Sequence, residues 1–185
     1  MGGREWLVRS IMFVSSYFPL YILLLIYQWE SIFNNIFSIN LNVMPVGVFI
    51  FLLFGIGISF LSVFLLKHAT AGNTCRVQEV KRPDDKVMDY VFTYILPIVS
   101  LSIENPVTVW GNLLLFLLLW YLYVRLNLLF INPLWVICGY TSYEYLNGHL
   151  ITDMRFDEIK NREELEGVFL ANGVFLAHRK ENPIK

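Results

Sequence analysis

The sequence predicts an α-helical membrane protein with four transmembrane helices and a small β-rich cytoplasmic C-terminal domain. Three observations predict it. Apolar residues make up 56% of the chain and charged residues 16%, against about 25% charged in ordinary soluble domains. The charges are almost absent from four stretches and crowded into the rest. Beyond Asn132 and Pro133 the pattern changes to the two-residue alternation of strands.

A helix that crosses a bilayer needs about 20 apolar residues. The first predicted span covers about 10–27, with Arg9 at its start, and the second, 43–66, carries no charge. The fourth, 109–131, is equally long but contains Arg125. The third, 89–106, is continuously apolar only over 90–103 and holds Pro97. That length suits either a buried or re-entrant segment or a kinked span with Glu104 near the outer interface.

Charge asymmetry arbitrates. The connections 28–42 and 104–111 contain no Lys or Arg. The loop 67–88 carries Lys67, Arg76, Lys81, Arg82 and Lys86, the tail carries six more basic residues, and the N-terminus carries Arg4 and Arg9. With four spans and both termini cytoplasmic, every basic residue except Arg125 falls on one side. A re-entrant third segment would put the basic tail outside. Trp29 and Trp110 then fall at the outer ends of spans, and Trp6 and Trp135 at the inner ends, as interface anchors do. The start MGGREWLVRS has the basic flank of a signal peptide, but the apolar run continues through Ile22–Ile26 without a small-residue cleavage site, so a retained helix is expected. Gly2 lacks the Ser or Thr that myristoylation requires, since Trp6 stands there.

The expected organisation is a membrane domain over 1–133 and a cytoplasmic domain over 134–185. In the latter, LWVICGYTSYEYL alternates with β-branched and aromatic residues, and Asn147-Gly148 signals a hairpin. DEIKNREELEG reads as a short helix or loop, and Asn172-Gly173 signals a second hairpin. So small a domain needs a neighbouring subunit or the membrane-proximal loop to complete a core. Its open edges suit addition of a partner strand.

Catalysis requires acid, base or nucleophile groups gathered in one cleft. His68, His149 and His178 are far apart in sequence, and neither Cys75 nor Cys138 lies in a metal-binding spacing. The expectation is a non-enzyme without cofactor or metal and with reduced thiols. Gly55 and Gly57 read as small residues for close helix packing. The outer connection places Trp29, Phe33, Ile36 and Phe37 at helical spacing. It is either an amphipathic helix in the outer headgroups, able to sense disturbance there, or a packed turn between two spans. The run KRPDDK is either a solvated connector or a docking surface for a cytoplasmic partner or anionic lipid. Arg125 is the one ionisable group clearly inside a span. It snorkels to the headgroups, pairs with Asp89, or lines a polar cavity with Asn112, Asn127 and Thr93, as in a small oligomeric channel or transporter.

The segments DYVFTYILPIVSL, with Asp89, Tyr94 and Pro97, and FINPLWVICGYTSYEY, with Asn132, Pro133, Gly139, Tyr140 and Tyr143, together with four spans and a basic second loop, resemble the KwaA family. These are membrane subunits of the Kiwa bacterial anti-phage defence system. The resemblance covers most of the chain. It implies an inner-membrane homo-oligomer, a tetramer being compatible with it, that senses phage at attachment or injection. It also implies a cytoplasmic face holding the soluble partner KwaB, which acts on phage DNA, with no direct nucleic-acid binding by this chain. Arg76, Lys81, Arg82, Tyr140 and Tyr143 are then the candidate docking residues.

Overall fold

The computed structural model of the chain describes residues 2–30, 33–34, 43–69, 72–81, 105–126, 132–162 and 164–179. The helices are α1 (Gly3–Ser16), α2 (Phe18–Tyr27), α3 (Val43–His68), α4 (Pro106–Leu126), α5 (Pro133–Ile137) and α6 (Phe156–Lys160). The strands are β1 (Asn73–Arg76), β2 (Thr141–Tyr145), β3 (Gly148–Thr152), β4 (Glu164–Ala171) and β5 (Val174–Ala177).

Two helices, α3 and α4, are long and apolar enough to cross a membrane, and the bent pair α1–α2 makes a third if taken as one span. The bend between α1 and α2 is 42°. Its cause is local: Pro19 has no N–H to give to the turn before it, so the helix stops at Ser16 and restarts with the proline in its first turn. The predicted third span, the end of the fourth beyond Leu126 and most of the outer connection lie outside the described residues.

On α1, Arg9, Met12, Phe13 and Ser16 repeat at three- and four-residue spacing and are buried. That stripe packs on α3 and α4, with Phe13 against Phe116 at 5.2 Å and against Tyr123 at 5.2 Å. Gly55 lets α3 approach α2: a Cβ there would meet the Tyr21 ring at 2.6 Å. Gly57 has nothing within 4 Å of the same test position, so only one of the two glycines serves close packing.

The sheet is mixed, in the order β1-β4-β5-β3-β2, with β3 and β5 parallel and the other neighbours antiparallel. The loop 67–88 is more than a connector. It contributes edge strand β1, paired from Asn73↔Gly167 to Arg76↔Glu164, and Lys81 then bridges to Glu144 on the opposite edge. The chain from β1 to Lys81 thus touches both edges, and Val77 is buried between them.

Both faces of the sheet are covered. Along β5, Val174 and Leu176 join the apolar cluster shared with the helices, while Phe175 and Ala177 join a second cluster with Met154 and Ile159. This is the period-two alternation of a strand buried on both sides.

Two local expectations shift. Asn132 accepts from the Leu134 and Trp135 amides and Pro133 follows at the first helical position, so 133–137 form a helical turn and β2 starts only at Thr141. The hairpin between β2 and β3 turns at Leu146 and Asn147, one residue before the signal, and Gly148 opens β3 with φ 144°. Gly148 is required there for a second reason: a Cβ would collide with the Gly173 carbonyl of the neighbouring turn.

Candidate functional site

The place where chemistry and architecture converge is the junction of α1, α3, α5 and the sheet. Ser15, Ser62, Asn132 and Trp135 are all buried there. The Ser62 hydroxyl donates to the Ser59 carbonyl at 2.7 Å and accepts from Trp135 Nε1 at 3.1 Å. A hydroxyl has one proton, so in the 2.7 Å contact between Ser15 and Ser62 it is Ser15 that donates. Ser15 in turn accepts from Asn132 Nδ2 at 2.9 Å, and Asn132 Oδ1 caps α5. Each donor has an acceptor, and three separate elements are tied through four side chains. Sequence reasoning missed the serines. Their signal was hydroxyls repeated inside otherwise apolar helices, where side chains that bridge helices are expected.

One turn of sheet meets the same helix. Arg9 is 5% exposed, and its Nη2 donates to the Asn172 carbonyl in the β4–β5 turn at 3.0 Å. Its buried Nε has no partner, and among the described residues no carboxylate lies within ion-pair distance of it. Beside it, Trp120 Nε1 donates to Ser10 Oγ at 3.0 Å, and the Trp6 and Trp120 rings meet edge-on at 4.6 Å. The apolar cluster runs without a break from Phe13 and Leu52 in the helices to Ile151, Val174 and Leu176 in the sheet.

Of the sequence-predicted residues, Trp29 and Phe33 are both exposed and their rings stack at 5.5 Å and 28°. Phe37, Asp89 and Arg82 lie outside the described residues, as do Thr93 and Asn127. Arg125 is exposed in the last turn of α4. Arg76 and Lys81 are exposed, at the end of β1 and at the bridge to Glu144. Tyr140 and Tyr143 are buried instead of surface-lying: Tyr140 meets the His178 ring at 5.9 Å, and Tyr143 meets Phe156 at 5.9 Å. Tyr140, just before β2, joins the cluster shared with the helices, whereas Tyr143 on β2 joins the cluster on the other face. Trp135, expected at the interface, is buried through its bond to Ser62. Asn112 donates to the Thr108 carbonyl of its own helix at 2.9 Å. It borders an apolar groove of about 600 Å³ between α2, α3 and α4, lined by Leu20, Tyr21, Phe51 and Phe116 among others.

Burial raises the Tyr140 phenol, with the charge of Asp153 adding to it. Tyr145 is pushed up to about 12, first by burial and then by its hydrogen bond with Cys75, whose sulfur lies 3.7 Å away. Among the described residues no group of three or more His, Cys, Asp or Glu side chains could hold a metal. The sheet meets α1 through the buried Arg9, and α1, α3 and α5 are tied to one another by the Ser15, Ser62, Asn132 and Trp135 side chains.

Residues 8–176 match the family described as anti-phage protein KwaA. The chain belongs to that family. The match runs from the second turn of α1 to Leu176 in β5, so it takes in the helices, the loop strand and nearly all of the sheet. A role in anti-phage defence follows from the membership. No curated protein and no solved structure matches the chain.

Proposed function

We propose that the chain is a non-enzymatic sensor and scaffold of the bacterial inner membrane, which registers phage attack at the outer face and holds a soluble DNA-acting partner at the cytoplasmic face. The observation that carries the reading is the seat of the sheet on α1. One apolar cluster joins the helices to the sheet, so a displacement of the helices is felt by the surface a partner would touch. Arg76 and Lys81 supply exposed basic groups on that surface.

Four crossings with cytoplasmic termini are supported by the charge asymmetry of the sequence, which gathers every basic residue except Arg125 into the two ends and the loop 67–88. Lys81 lies on the sheet, whereas Asn105 precedes α4 at the end where Pro106 and Val43 border the groove. In the sequence, 82–104 has an apolar centre over 90–103, a length that suits a kinked span. A homo-oligomer fits the wide apolar surface that α3 and α4 leave uncovered, with 28% and 11% of their core windows buried within one chain.

The test is phage plating with the soluble partner co-expressed. Replacing Trp29, Phe33 and Phe37 by Ser is expected to abolish protection while the protein persists in the membrane. Full protection by that variant would remove the outer-face sensing role. Retention of the partner by a tagged chain in mild detergent tests the scaffold role separately, and recovery of the chain alone would refute it.

A further inference from the structure

Arg9 occupies a position that the pattern of α1 reserves for an apolar side chain. It heads the buried stripe continued by Met12, Phe13 and Ser16. A guanidinium has five N–H donors and stays charged at all physiological pH. Here it is 5% exposed and donates to one neutral carbonyl, that of Asn172, while its buried Nε donates to nothing. No carboxylate among the described residues offsets the charge.

The β4–β5 turn is one of the surfaces that bury the cation, and the one that gives it a hydrogen-bond acceptor. Asn172 belongs to the β4–β5 turn, and the residues seated with it (Ala171, Val174, Leu176 and Ile151) are buried in the same cluster as the helix stripe. Two opposed terms therefore act at one contact. Apolar burial holds the sheet down, and a buried cation that no described carboxylate offsets favours any arrangement that returns it to water or to lipid phosphates. Lifting the turn away from α1 would free the guanidinium from the Asn172 carbonyl and would expose the apolar residues seated with it.

We propose that the contact between Arg9 and the β4–β5 turn is a release latch: the sheet exchanges between a seated state on α1 and a lifted state, and the buried charge keeps the two close in free energy. The charge thus sets the equilibrium, and the apolar residues set which state predominates. The inference rests on the junction geometry and not on the defence reading.

The experiment uses the full chain in mild detergent with Cys75 and Cys138 replaced by Ser and a single reporter, Val174→Cys, on the helix-facing side of β5. Labelling by a maleimide dye reads the lifted fraction. Labelling in denaturant supplies the fully exposed rate. The seated protein is expected to label slowly but completely. Arg9→Met, which keeps the bulk and removes the charge, is expected to slow labelling about tenfold or more, because a well-packed apolar side chain in place of a buried ion favours the closed form. Arg9→Lys is expected to stay within about threefold of the parent.

Four results would overturn the latch: no labelling of the folded parent; labelling of Arg9→Met and Arg9→Leu as fast as the parent or faster; slowing by Arg9→Lys equal to that by Arg9→Met; or failure of both neutral variants to fold. The second and fourth would make Arg9 a clamp that the fold needs, the third would assign the effect to side-chain shape, and the first would leave a single state.

Discussion

Replacing Asn132 by Ala tests whether the serine network is a structural tie. The side chain has two separable duties. Its Oδ1 accepts from the Leu134 and Trp135 amides at 3.1 and 3.4 Å, and its Nδ2 donates to Ser15 at 2.9 Å. Loss of an N-cap costs about 1 kcal/mol. Loss of a buried hydrogen bond that leaves its partner unsatisfied adds about 1–2 kcal/mol. Because Asn132 is buried, water does not take over either role. The expected cost of Asn132→Ala is therefore about 2–3 kcal/mol, the sum of the two. Asn132→Ser keeps a capping oxygen and gives up the bond to Ser15, so it should cost about half as much. The assay is reversible unfolding in mixed micelles at rising dodecyl sulfate, followed by tryptophan fluorescence. A double-mutant cycle of Ser15→Ala with Asn132→Ala isolates the pair, for which about 0.6–1.7 kcal/mol is typical between membrane helices. An Asn132→Ala protein within about 0.5 kcal/mol of the parent would refute the reasoning, as would equal losses for Ala and Ser.

Two further outcomes follow from the packing and the pKa shifts. Gly55→Ala should destabilise the chain by about 1–3 kcal/mol in the same assay, because the new methyl meets the Tyr21 ring, while Gly57→Ala should change little, having nothing nearby. Tyr145 holds its proton more tightly when folded, about 12 against an ordinary 10.0, so its contribution to stability is complete below about pH 10 and lost as pH rises toward 12. Thermal unfolding followed through that window should show the decline in the parent and a flatter profile in Tyr145→Phe.

The apolar runs of α3 and α4 were legible because a membrane span is a local property: length and absence of charge suffice. The two Asn-Gly signals placed both hairpins, one to the residue and one a position late, since Gly148 is conscripted by its approach to Gly173. What was not legible is non-local. Nothing in NTCR marks it as a strand until β4, far along the chain, lies beside it. The parallel pairing of β3 with β5 likewise depends on α6 and β4 returning the chain to the same end of the sheet. At 133–137 the β-rich composition lost to a cap and a proline, a competition between propensity and end chemistry that composition alone does not decide. Tyr143 is buried because both faces of the sheet are covered, and Tyr140 because the residue before β2 packs into the cluster shared with the helices; neither covering is visible in the sequence.

The edge strand borrowed from the second loop has a consequence for biosynthesis. β1 leaves the ribosome about 90 residues before its partner in β4 and waits unpaired while α4 is made. The sheet is therefore completed last, from pieces that lie on either side of α4 in the chain. A gene fragment beginning at residue 134 would encode a sheet missing one border, and expressing it alone should yield insoluble material where the intact chain does not.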